Sequence, residues 1–515
     1  MEFSSVVETH YQYFFPTLFA LLIFLFTVLR IWRKTKSKPN LPPGPWKLPL
    51  IGSLHHLAGA PLTHVRLRDL AKKYGPIMHL QLGEVTTIFI TSPEIAKEVL
   101  KTLDIVLARR PFLQAVKLVT YNFTDVAFSP YGEYWRQLRK ICTMELLTAK
   151  RVQSFGSIRQ EEGSKLIRDI SSNAGSPINF SKILTSSGYK IISRAAFGQV
   201  WNGEDVFLKA VNDLTEESAG FSLVDFYPSK KFLQLFTSSG QKLQRVFQQV
   251  DTIMQNIIDN HRARKREAKS GDDAELEDFV DVLLKVQEQK DLELPLTDDN
   301  MKAVIFDMFS AGSDSSSTTI IWAMSELVKN PTVMEKAQAE VRRVFSKKGR
   351  VDEEGIEELH YLKAVAKETL RLHAPGPLLL PRECAENCVI NDFDIPAKSR
   401  IAVNFWAIGR DPQYWTEPER FNPERFLDCP VDYNYKGTNY TYLPFGSGRR
   451  ICPGMSFAIA NMEFTLAQML FYFDWKLPNG LPGESLDMTE KFGVTVRRES
   501  DLILIPFPYI PASVN

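Results

Sequence analysis

The chain has few cysteines and almost no excess charge for its length. Five cysteines occur among 515 residues, and such an odd, sparse set suits a reducing compartment better than a disulfide framework. The formal net charge is +1, and no basic block is large enough to give the footprint of a nucleic-acid-binding protein. The sequence therefore argues against a disulfide-stapled scaffold and predicts no nucleic-acid partner.

Two binding motifs are also missing. No Gly-x-Gly-x-x-Gly loop occurs, so the chain has no dinucleotide-binding fingerprint of its own. Cys384 and Cys388 are spaced like half of a metal site, but no second Cys/His pair accompanies them, and we interpret both as ordinary cysteines. With 44% hydrophobic and 24% charged residues, the sequence predicts a large packed core rather than disorder.

The longest uncharged hydrophobic run lies near the amino terminus, over residues 11–29. At 1.5 Å per residue it spans roughly 28 Å, close to the hydrocarbon thickness of a bilayer. Residues 30–38 carry five positive charges, whereas Glu2 and Glu8 precede the run, so residues 1–10 are expected in the lumen and the rest of the chain in the cytosol. A cleaved signal peptide needs the opposite charge order and a small-residue cleavage site. We therefore predict an uncleaved, single-pass anchor in the endoplasmic reticulum membrane.

A basic flank and a proline-rich hinge follow, over residues 30–46. In Leu41-Pro42-Pro43-Gly44-Pro45-Trp46, three prolines in four positions cannot continue a helix and favour a stiff, extended chain. This segment would set the angle at which the globular body, residues 47–515, leaves the membrane.

The body is predicted to be one mainly α-helical domain with a minor β portion. Residues 77–82 and 87–90 predict a strand pair. The short β-branched runs 494–496 and 502–505 predict a small sheet near the carboxyl end. Mixed charges over 262–278 predict a solvated linker.

One decapeptide surrounds a cysteine with glycines, cations and an aromatic ring: Phe445-Gly446-Ser447-Gly448-Arg449-Arg450-Ile451-Cys452-Pro453-Gly454. The three glycines permit tight turns that point peptide N–H groups at the sulfur, and such donors stabilise a thiolate and tune a bound metal. A long apolar helix is predicted to leave this loop at residue 455. The run resembles the haem-binding loop of the cytochromes P-450, in which the cysteine is the proximal iron ligand. The alternative is a buried cysteine in a glycine-rich turn.

Two segments upstream of the loop match the same family. Glu368 and Arg371 share one helical face, and Arg425 lies in the run Pro-Glu-Arg-Phe. In the family, a Glu-x-x-Arg pair is clamped by the arginine of such a run in a buried triad behind the haem. The resemblance implies this structural, haem-retaining role for Glu368, Arg371 and Arg425. On its own, the pair is typical of an exposed helix surface.

A third match, Ala311-Gly312-Ser313-Asp314-Ser315, lies in a helix predicted to begin near residue 300. A glycine inside a helix costs about 1 kcal/mol, and small residues followed by an acid and a hydroxyl suit a helix that opens around a ligand and passes protons. The run resembles the family's oxygen-activation pattern, with Asp314 as the acid and Ser315 where threonine is usual. Serine keeps the donor and acceptor but loses the methyl group that restricts χ1. The alternative is a serine-rich helix packed closely against a neighbour.

The resemblance also nominates residues that hold the cofactor. Trp135 and Arg139 match the family's Trp-x-x-x-Arg, and Arg382 matches the Pro-Arg step after the Glu-x-x-Arg helix. With Phe445 and Arg450 of the cysteine loop, they are expected to hold haem b, the arginines through charge-assisted bonds to its propionates.

The resemblance covers nearly the whole chain and implies an O₂-dependent monooxygenase. Electrons would come from NADPH through the membrane-anchored cytochrome P-450 reductase, with cytochrome b5 as a further candidate donor, and Arg136 and Lys140 are candidates to face the donor. Asp314 and Ser315 would supply protons with water. One rival is a haem-thiolate isomerase or dehydratase that needs no reductase, and the other is a non-enzymatic membrane carrier of haem or lipid.

Within the family, the anchor, the hinge and Ala374-Pro375-Gly376-Pro377 resemble plant microsomal members that oxidise small specialised metabolites, and terpenoid oxidation is the leading expectation. The residues expected to line the distal pocket are mostly apolar, which favours a lipophilic substrate. They are Val304, Ile305, Met308, Phe309, Ala311, Leu378, Leu379, Leu380 and Val494.

Overall fold

The computed structural model describes residues 20, 21, 24, 39–199, 204–219, 223–230, 239–267, 277–289, 293–427 and 429–509. The predicted anchor at 11–29 and the predicted lumenal residues 1–10 lie almost wholly outside these ranges. Among the described residues we find no helix with the length and hydropathy of a membrane span.

Helices make up most of the described chain, as predicted. They are α1 (Thr63–Tyr74), α2 (Pro93–Lys97), α3 (Gln114–Val119), α4 (Glu133–Ile141), α5 (Ala149–Ser154), α6 (Gly156–Ser171), α7 (Phe180–Phe197), α8 (Glu204–Ala219), α9 (Leu223–Phe226), α10 (Ser239–Glu267), α11 (Phe279–Glu288), α12 (Asp298–Lys329), α13 (Pro331–Phe345), α14 (Glu353–Ile356), α15 (His360–Leu372), α16 (Phe405–Ile408) and α17 (Met455–Tyr472).

The strands are short and form a minor part of the fold. They are β1 (Ile77–Leu82), β2 (Val85–Ile90), β3 (Ile178–Asn179), β4 (Arg382–Glu383), β5 (Cys388–Ile390), β6 (Phe393–Ile395), β7 (Arg400–Val403), β8 (Phe473–Lys476), β9 (Glu490–Lys491), β10 (Arg497–Arg498) and β11 (Ile503–Pro508).

The largest sheet has the strand order β1-β2-β7-β4. The predicted pair β1–β2 is confirmed as antiparallel, and β7 pairs parallel to β2 with Ile88 opposite Ile401. Smaller sheets have the orders β3-β11-β8, β5-β6 and β9-β10. Arg382 lies on β4, the edge strand beside β7, and its side chain is buried.

Helix α12 organises the core. It begins with a capping box in which the Thr297 and Asn300 side chains each accept from the other residue's backbone N–H. Its residues 301–309 are part of one buried apolar cluster, and its residues 320–328 are part of another. Between them, residues 310–319 are small or hydroxylic except for Asp314. The helix therefore has an apolar segment toward each end and a polar segment in its middle.

Two predictions about local structure are wrong. The linker predicted over 262–278 is wrong at its start, because residues 262–267 end α10 and their charges form ion pairs such as Arg262 with Asp298 (2.6 Å). Its residues 268–276 lie outside the described residues. The β-branched run 494–496 is not a strand, since the short strand β10 begins at Arg497. β-Branched residues favour a strand only where a partner strand is available.

The described part of the proline-rich hinge, from residue 39 on, forms no helix and is fixed to the body. The Pro43 carbonyl accepts from the His79 N–H at 2.8 Å, which adds the segment to the edge of β1. The Asn40 N–H donates to the Asp394 carboxylate at 2.8 Å. The described part of the hinge therefore leaves the body in one defined direction.

Close packing between α7 and α12 gives a stability prediction. A Cβ at Gly188 would lie 2.5 Å from Ser317 Oγ but 3.9 Å from Ser317 Cβ. We expect Gly188→Ala to lower the free energy of unfolding, because overpacking costs about 1–3 kcal/mol whereas the gain in helix propensity is only about 0.5–1 kcal/mol. Adding Ser317→Ala should restore the thermal midpoint, and Gly376→Ala, with open space around it, is the control. A single variant as stable as the wild type would contradict this packing.

Candidate active site

The cysteine loop is a tight turn placed just before α17. The Cys452 N–H donates to the Phe445 carbonyl at 3.0 Å and closes the turn. Gly448 has φ +72°, and a Cβ there would lie 2.3 Å from the Leu100 carbonyl oxygen, so only glycine fits. Gly446 is also left-handed, but Gly454 is not: its φ is −84° and it begins α17. The expected turn thus depends on two of the three glycines.

The environment of the Cys452 sulfur contains opposing effects. Burial raises the pKa of the Cys452 thiol, while the Gly454 N–H, which donates to Sγ, and the Arg139 guanidinium lower it. The net pKa is above the ordinary value. A metal cation at the sulfur would reverse this balance, because a coordinated thiol loses its proton.

Arginine side chains collect beside the loop, and most are held by backbone carbonyls rather than by carboxylates. Arg450 donates to the carbonyls of Ala108 (2.9 Å) and Val126 (3.2 Å), and its guanidinium lies 4.3 Å from the ring centre of Trp135. The Trp135 indole N–H donates to the same Val126 carbonyl at 3.0 Å. The structure thus brings Trp135 and Arg450 together.

Arg382 and Arg139 differ in their partners. Arg382 is buried and donates to Asp104 at 2.7 Å and to the Ser447 carbonyl at 3.0 Å, which ties β4 to the cysteine loop. Arg139 is half-buried, and among the described residues its guanidinium has no hydrogen-bond or ion-pair partner. Burial lowers its pKa, while Cys142 and Cys452 act in the opposite direction.

A further guanidinium, that of Arg110, was missed from the sequence. It donates to the carbonyls of Ala127 (2.9 Å), Leu380 (2.7 Å) and Pro381 (2.8 Å). Burial lowers its pKa well below the ordinary value, and the charges of Arg450 and Arg382 add to the effect. Burial likewise lowers the pKa of Arg450 to about 10. No sequence motif marks Arg110, because its partners come from distant parts of the chain.

These charges do not balance. Three guanidinium groups, those of Arg110, Arg382 and Arg450, lie near the carboxylates of Asp104 and Asp125, and Arg139 lies near Arg450. Asp104 also pairs with the exposed Arg449. Unpaired buried cations are costly. The cluster therefore fits a ligand that brings negative charge, such as a group with two carboxylates, next to Cys452.

Helix α12 presents Ala311 and Ser315 on one face. Ala311 is exposed although most of the helix around it is buried, and Ser315 is partly exposed. Ser315 Oγ donates to the Ala311 carbonyl at 2.7 Å. By helical spacing, Met308 shares this face.

The helix does not open at this point, contrary to the expectation. It is continuous from Asp298 to Lys329, although the Ser310, Ser313, Ser315 and Thr319 hydroxyls donate to carbonyls four residues earlier, a contact that tends to bend a helix. Gly312 serves a close contact, since a Cβ there would lie 3.0 Å from Ile192 of α7.

Asp314 points to a different face from Ser315. Its carboxylate pairs with Arg497 of β10 at 2.6 Å. Both residues line a cavity of about 460 Å³ that also carries the charges of Lys182, Lys209 and Asp501 and several hydroxyl groups. The Asp314 side chain thus extends from α12 to the edge of a polar cavity.

The predicted pocket residues divide into two groups. Ala311, Leu380 and Val494 are exposed, and Leu378 and Leu379 are partly exposed. Val304, Ile305 and Phe309 are buried in an apolar core cluster, and Met308 is almost as fully covered, so their place in the pocket stays a prediction. The Phe309 ring packs on Tyr189 (5.9 Å), Phe197 (5.9 Å) and Phe207 (5.0 Å) between ring centres. Apolar residues on opposite faces of one helix are alike in sequence, so the pattern did not separate core from pocket.

The structure brings Glu368, Arg371 and Arg425 together. Glu368 and Arg371 are fully buried and make two bonds, at 2.7 and 2.8 Å. Arg425 Nε donates to Glu368 at 3.0 Å. Arg371 also donates to the carbonyls of Gly409 and Pro418, which fastens the 409–420 segment to α15.

Known proteins resemble this chain in sequence and in fold. A family model described as cytochrome P-450 matches residues 42–504. Premnaspirodiene oxygenase of Hyoscyamus muticus is 50% identical over 513 residues, with 99% of this chain and 100% of the relative covered. Tabersonine 16-hydroxylase 2 of Catharanthus roseus is 51% identical over 510 residues, with 98% and 99% covered. A zebrafish cytochrome P-450 solved with abiraterone has a TM-score of 0.73 at 24% identity, covers 87% of this chain and 100% of its own, and shows the fold.

The buried triad gives a prediction about stability. We expect Glu368→Ala or Arg371→Ala to lower the free energy of unfolding by about 3–5 kcal/mol, because each leaves a buried charge without its partner. Arg371→Lys should not rescue the loss, since lysine cannot reproduce the two-pronged contact. Lys72→Ala is the matched control: Lys72 pairs with Asp69 at the same i, i+3 spacing but is exposed, so its loss should change stability by less than about 1 kcal/mol. The measurement is the free energy of unfolding in denaturant. Equal losses from the buried triad and from the exposed Lys72–Asp69 pair would contradict a structural role for the triad.

Proposed function

The chain belongs to the cytochrome P-450 family, and on that premise we propose that Cys452 is the thiolate ligand of its haem iron. The protein is a haem-dependent monooxygenase that uses haem b, O₂ and electrons derived from NADPH. The monooxygenase is the class that the sequence favours over a haem-thiolate isomerase or dehydratase and over a membrane carrier of haem or lipid. The assignment of Cys452 rests on the position of its sulfur. The sulfur lies beside the Gly454 N–H and the Arg139 guanidinium, next to a cluster that has more guanidinium groups than carboxylates.

The residues of that cluster fit the haem propionates. Arg139 is the best-suited cation, because its guanidinium has no other partner among the described residues. Arg382, Arg450 and Arg110 are already oriented by carbonyls, so they bind a carboxylate with little further ordering. Trp135 supports Arg450 through its ring, and Phe445 packs edge-on against Tyr435 at 5.6 Å to shape the loop. Glu368, Arg371 and Arg425 hold the chain behind the loop.

When bound, the haem would activate O₂, which provides the oxygen atom that enters the substrate. The chain's own task is to deliver protons on time and to exclude bulk water. We assign proton donation to the Ser315 hydroxyl, once it turns away from the Ala311 carbonyl, and proton resupply through water to Asp314, which lies on a different face of α12. The Asp314–Arg497 pair borders the polar cavity, so breaking the pair connects the Asp314 carboxylate to water.

The substrate is a lipophilic small molecule, and we favour a terpenoid. The relatives named for premnaspirodiene and for tabersonine are almost equally similar, so identity alone does not choose between them. Ala311, Leu378, Leu379, Leu380 and Val494 keep exposed surface and are apolar. They offer no charge to the protonated nitrogen of an alkaloid, which favours a hydrocarbon-like substrate oriented by shape.

We place the protein in the endoplasmic reticulum membrane, anchored by residues 11–29, with its catalytic domain in the cytosol. The hydrophobic run and its basic flank support this location. The electron donor is NADPH–cytochrome P-450 reductase, with cytochrome b5 as a second candidate. Arg136 and Lys140 are exposed on α4, close to Arg139, and suit an acidic donor surface.

The first test addresses the ligand and the reaction. Reduced membranes treated with carbon monoxide should show the red-shifted Soret band of a thiolate ligand. Cys452→Ala should abolish this band, and Cys384→Ala and Cys388→Ala should keep it, as cysteine controls.

Microsomes with reductase should convert a terpene hydrocarbon from a panel that includes phenylpropanoids and alkaloids, with product detected by mass spectrometry. Product formed without NADPH, or a normal band in Cys452→Ala, would contradict the proposal.

The second test addresses proton delivery. Ser315→Ala should keep haem and substrate but reduce product per NADPH by about tenfold or more, with hydrogen peroxide as the by-product, because the proton donor is gone. Ser315→Thr should couple equally well or better, since its χ1 is more restricted. Asp314→Asn should slow turnover without weakening substrate binding.

Ser313→Ala is the matched control for Ser315→Ala, since Ser313 is buried and donates to the Phe309 carbonyl on another face. Its coupling should equal that of the wild type. Unchanged coupling in Ser315→Ala would remove the assignment of this hydroxyl.

A further inference from the structure

The loop formed by residues 124–129 connects α12 to the proposed haem-binding cations. Its carbonyls accept from three side chains of that site: Val126 from Trp135 and Arg450, Ala127 from Arg110, and Ser129 from Arg450. Whatever fixes this loop therefore also fixes the direction of the guanidinium groups.

The loop's amide groups point the other way, to a carboxyl group on α12. Asp307 Oδ2 accepts from the N–H groups of Val126 (2.7 Å) and Ala127 (3.1 Å). Asp307 lies one turn before Ala311, so it shares the side of α12 that faces the proposed active site. No motif drew attention to Asp307 in the sequence.

A second carboxyl group faces Asp307 within hydrogen-bond reach, that of Asp125. Asp125 is fully buried, and its Oδ2 accepts from the Phe128 N–H at 2.9 Å. Its Oδ1 is buried and has no hydrogen-bond partner among the described residues other than this facing acid. Two carboxyl groups in such contact share one proton. Burial raises the pKa of the Asp125 carboxyl to about 6, and the Phe128 N–H, Arg450 and Arg110 act in the opposite direction. Because Arg450 and Arg110 stabilise a charge on Asp125, we place the shared proton on Asp307.

The pKa values agree with this geometry. Burial raises the pKa of the Asp307 carboxyl well above its ordinary value, and the Asp125 charge raises it further. The other titratable groups beside the pair are the Cys142 thiol and the Tyr134 hydroxyl. Burial raises the pKa of both, that of Cys142 to about 12, so neither contributes a charge at neutral pH.

The chain just before the loop is strained. Tyr121, Asn122 and Phe123 have φ of 49°, 65° and 63°, values that side chains with a Cβ adopt at a cost. Such a turn persists only where its surroundings hold it. Helix α12 holds it at a second point, because Lys302 pairs with Asp251, which accepts from the Tyr121 hydroxyl, both at 2.7 Å.

We propose that Asp307 is a positioning residue for haem binding: as a neutral acid donating to Asp125, it fixes the 124–129 loop and thereby the Arg110 and Arg450 guanidinium groups. The inference rests on the proposed function, in which these cations hold the propionates. It assigns a task to a residue that touches neither the iron ligand nor the substrate.

The test compares two substitutions of Asp307 in the full-length holoprotein. Asp307→Asn keeps an oxygen for the two N–H groups and an N–H donor for Asp125, so we expect haem release to excess apomyoglobin within about threefold of the wild-type rate. Asp307→Leu removes both functions and should release haem about tenfold faster or more, as expected for a residue that orients the groups around a metal site. Infrared spectra should show a protonated-carboxyl stretch that Asp307→Asn removes.

The matched control is Asp278→Asn. Asp278 is buried and also accepts from a backbone N–H, that of Asp281, but it pairs with His261 and not with an arginine of the haem site. It should lower the thermal midpoint without speeding haem release. Wild-type release from Asp307→Leu would overturn the inference, and so would an Asp307→Asn variant as poor as Asp307→Leu. A wild-type protein without thiolate-ligated haem would instead overturn the proposed function, before any variant is compared.

Discussion

Excess positive charge in the interior is the constraint on which this structure depends. Arg110, Arg382 and Arg450 are drawn into one region by carbonyl oxygens, and Arg139 approaches it with no hydrogen-bond or ion-pair partner in the part of the chain that the structure describes. Carbonyl dipoles orient a guanidinium but do not neutralise it, so the region stays electrostatically incomplete. The cysteine loop, β4, the 124–129 loop and α4 each contribute to this cluster, which explains why short, irregular segments are held so precisely around it.

The polar middle of α12 is the counterpart of that cluster. A helix with apolar residues throughout would pack well but could not pass protons, and one with many charges could not be buried. Serine and threonine resolve the conflict, because a hydroxyl such as that of Ser315 or Thr319 donates to its own helix and still keeps lone pairs for another partner. The single acid, Asp314, is balanced by Arg497 from the other end of the chain.

The sequence predicts best what is local. The cysteine turn, the Glu368–Arg371 pair and the β1–β2 hairpin are each set by neighbouring residues, and the structure has all three. It predicts poorly what depends on the packing of distant segments. Phe309 is as apolar as a pocket residue would be, and only its aromatic neighbours on α7 and α8 show that it is core. Arg110, Asp104 and Asp307 belong to no local pattern, because their partners are set by tertiary structure alone. Residues 262–267 show the same limit, since their charges resemble a linker until the partner helix is present.

The contact between Asp104 and Arg449 joins residues 345 positions apart, and this spacing has a consequence for biosynthesis. At about 5–20 residues per second, the ribosome needs roughly 20–70 s to make the intervening chain. During that interval the amino-terminal half of the cofactor site has emerged without the loop that completes it, and Leu100 and Asp104 have nothing to close against. Acquisition of the cofactor is therefore a late step, after nearly the whole polypeptide has been translated. Premature termination anywhere before α17 leaves a nascent chain that cannot mature.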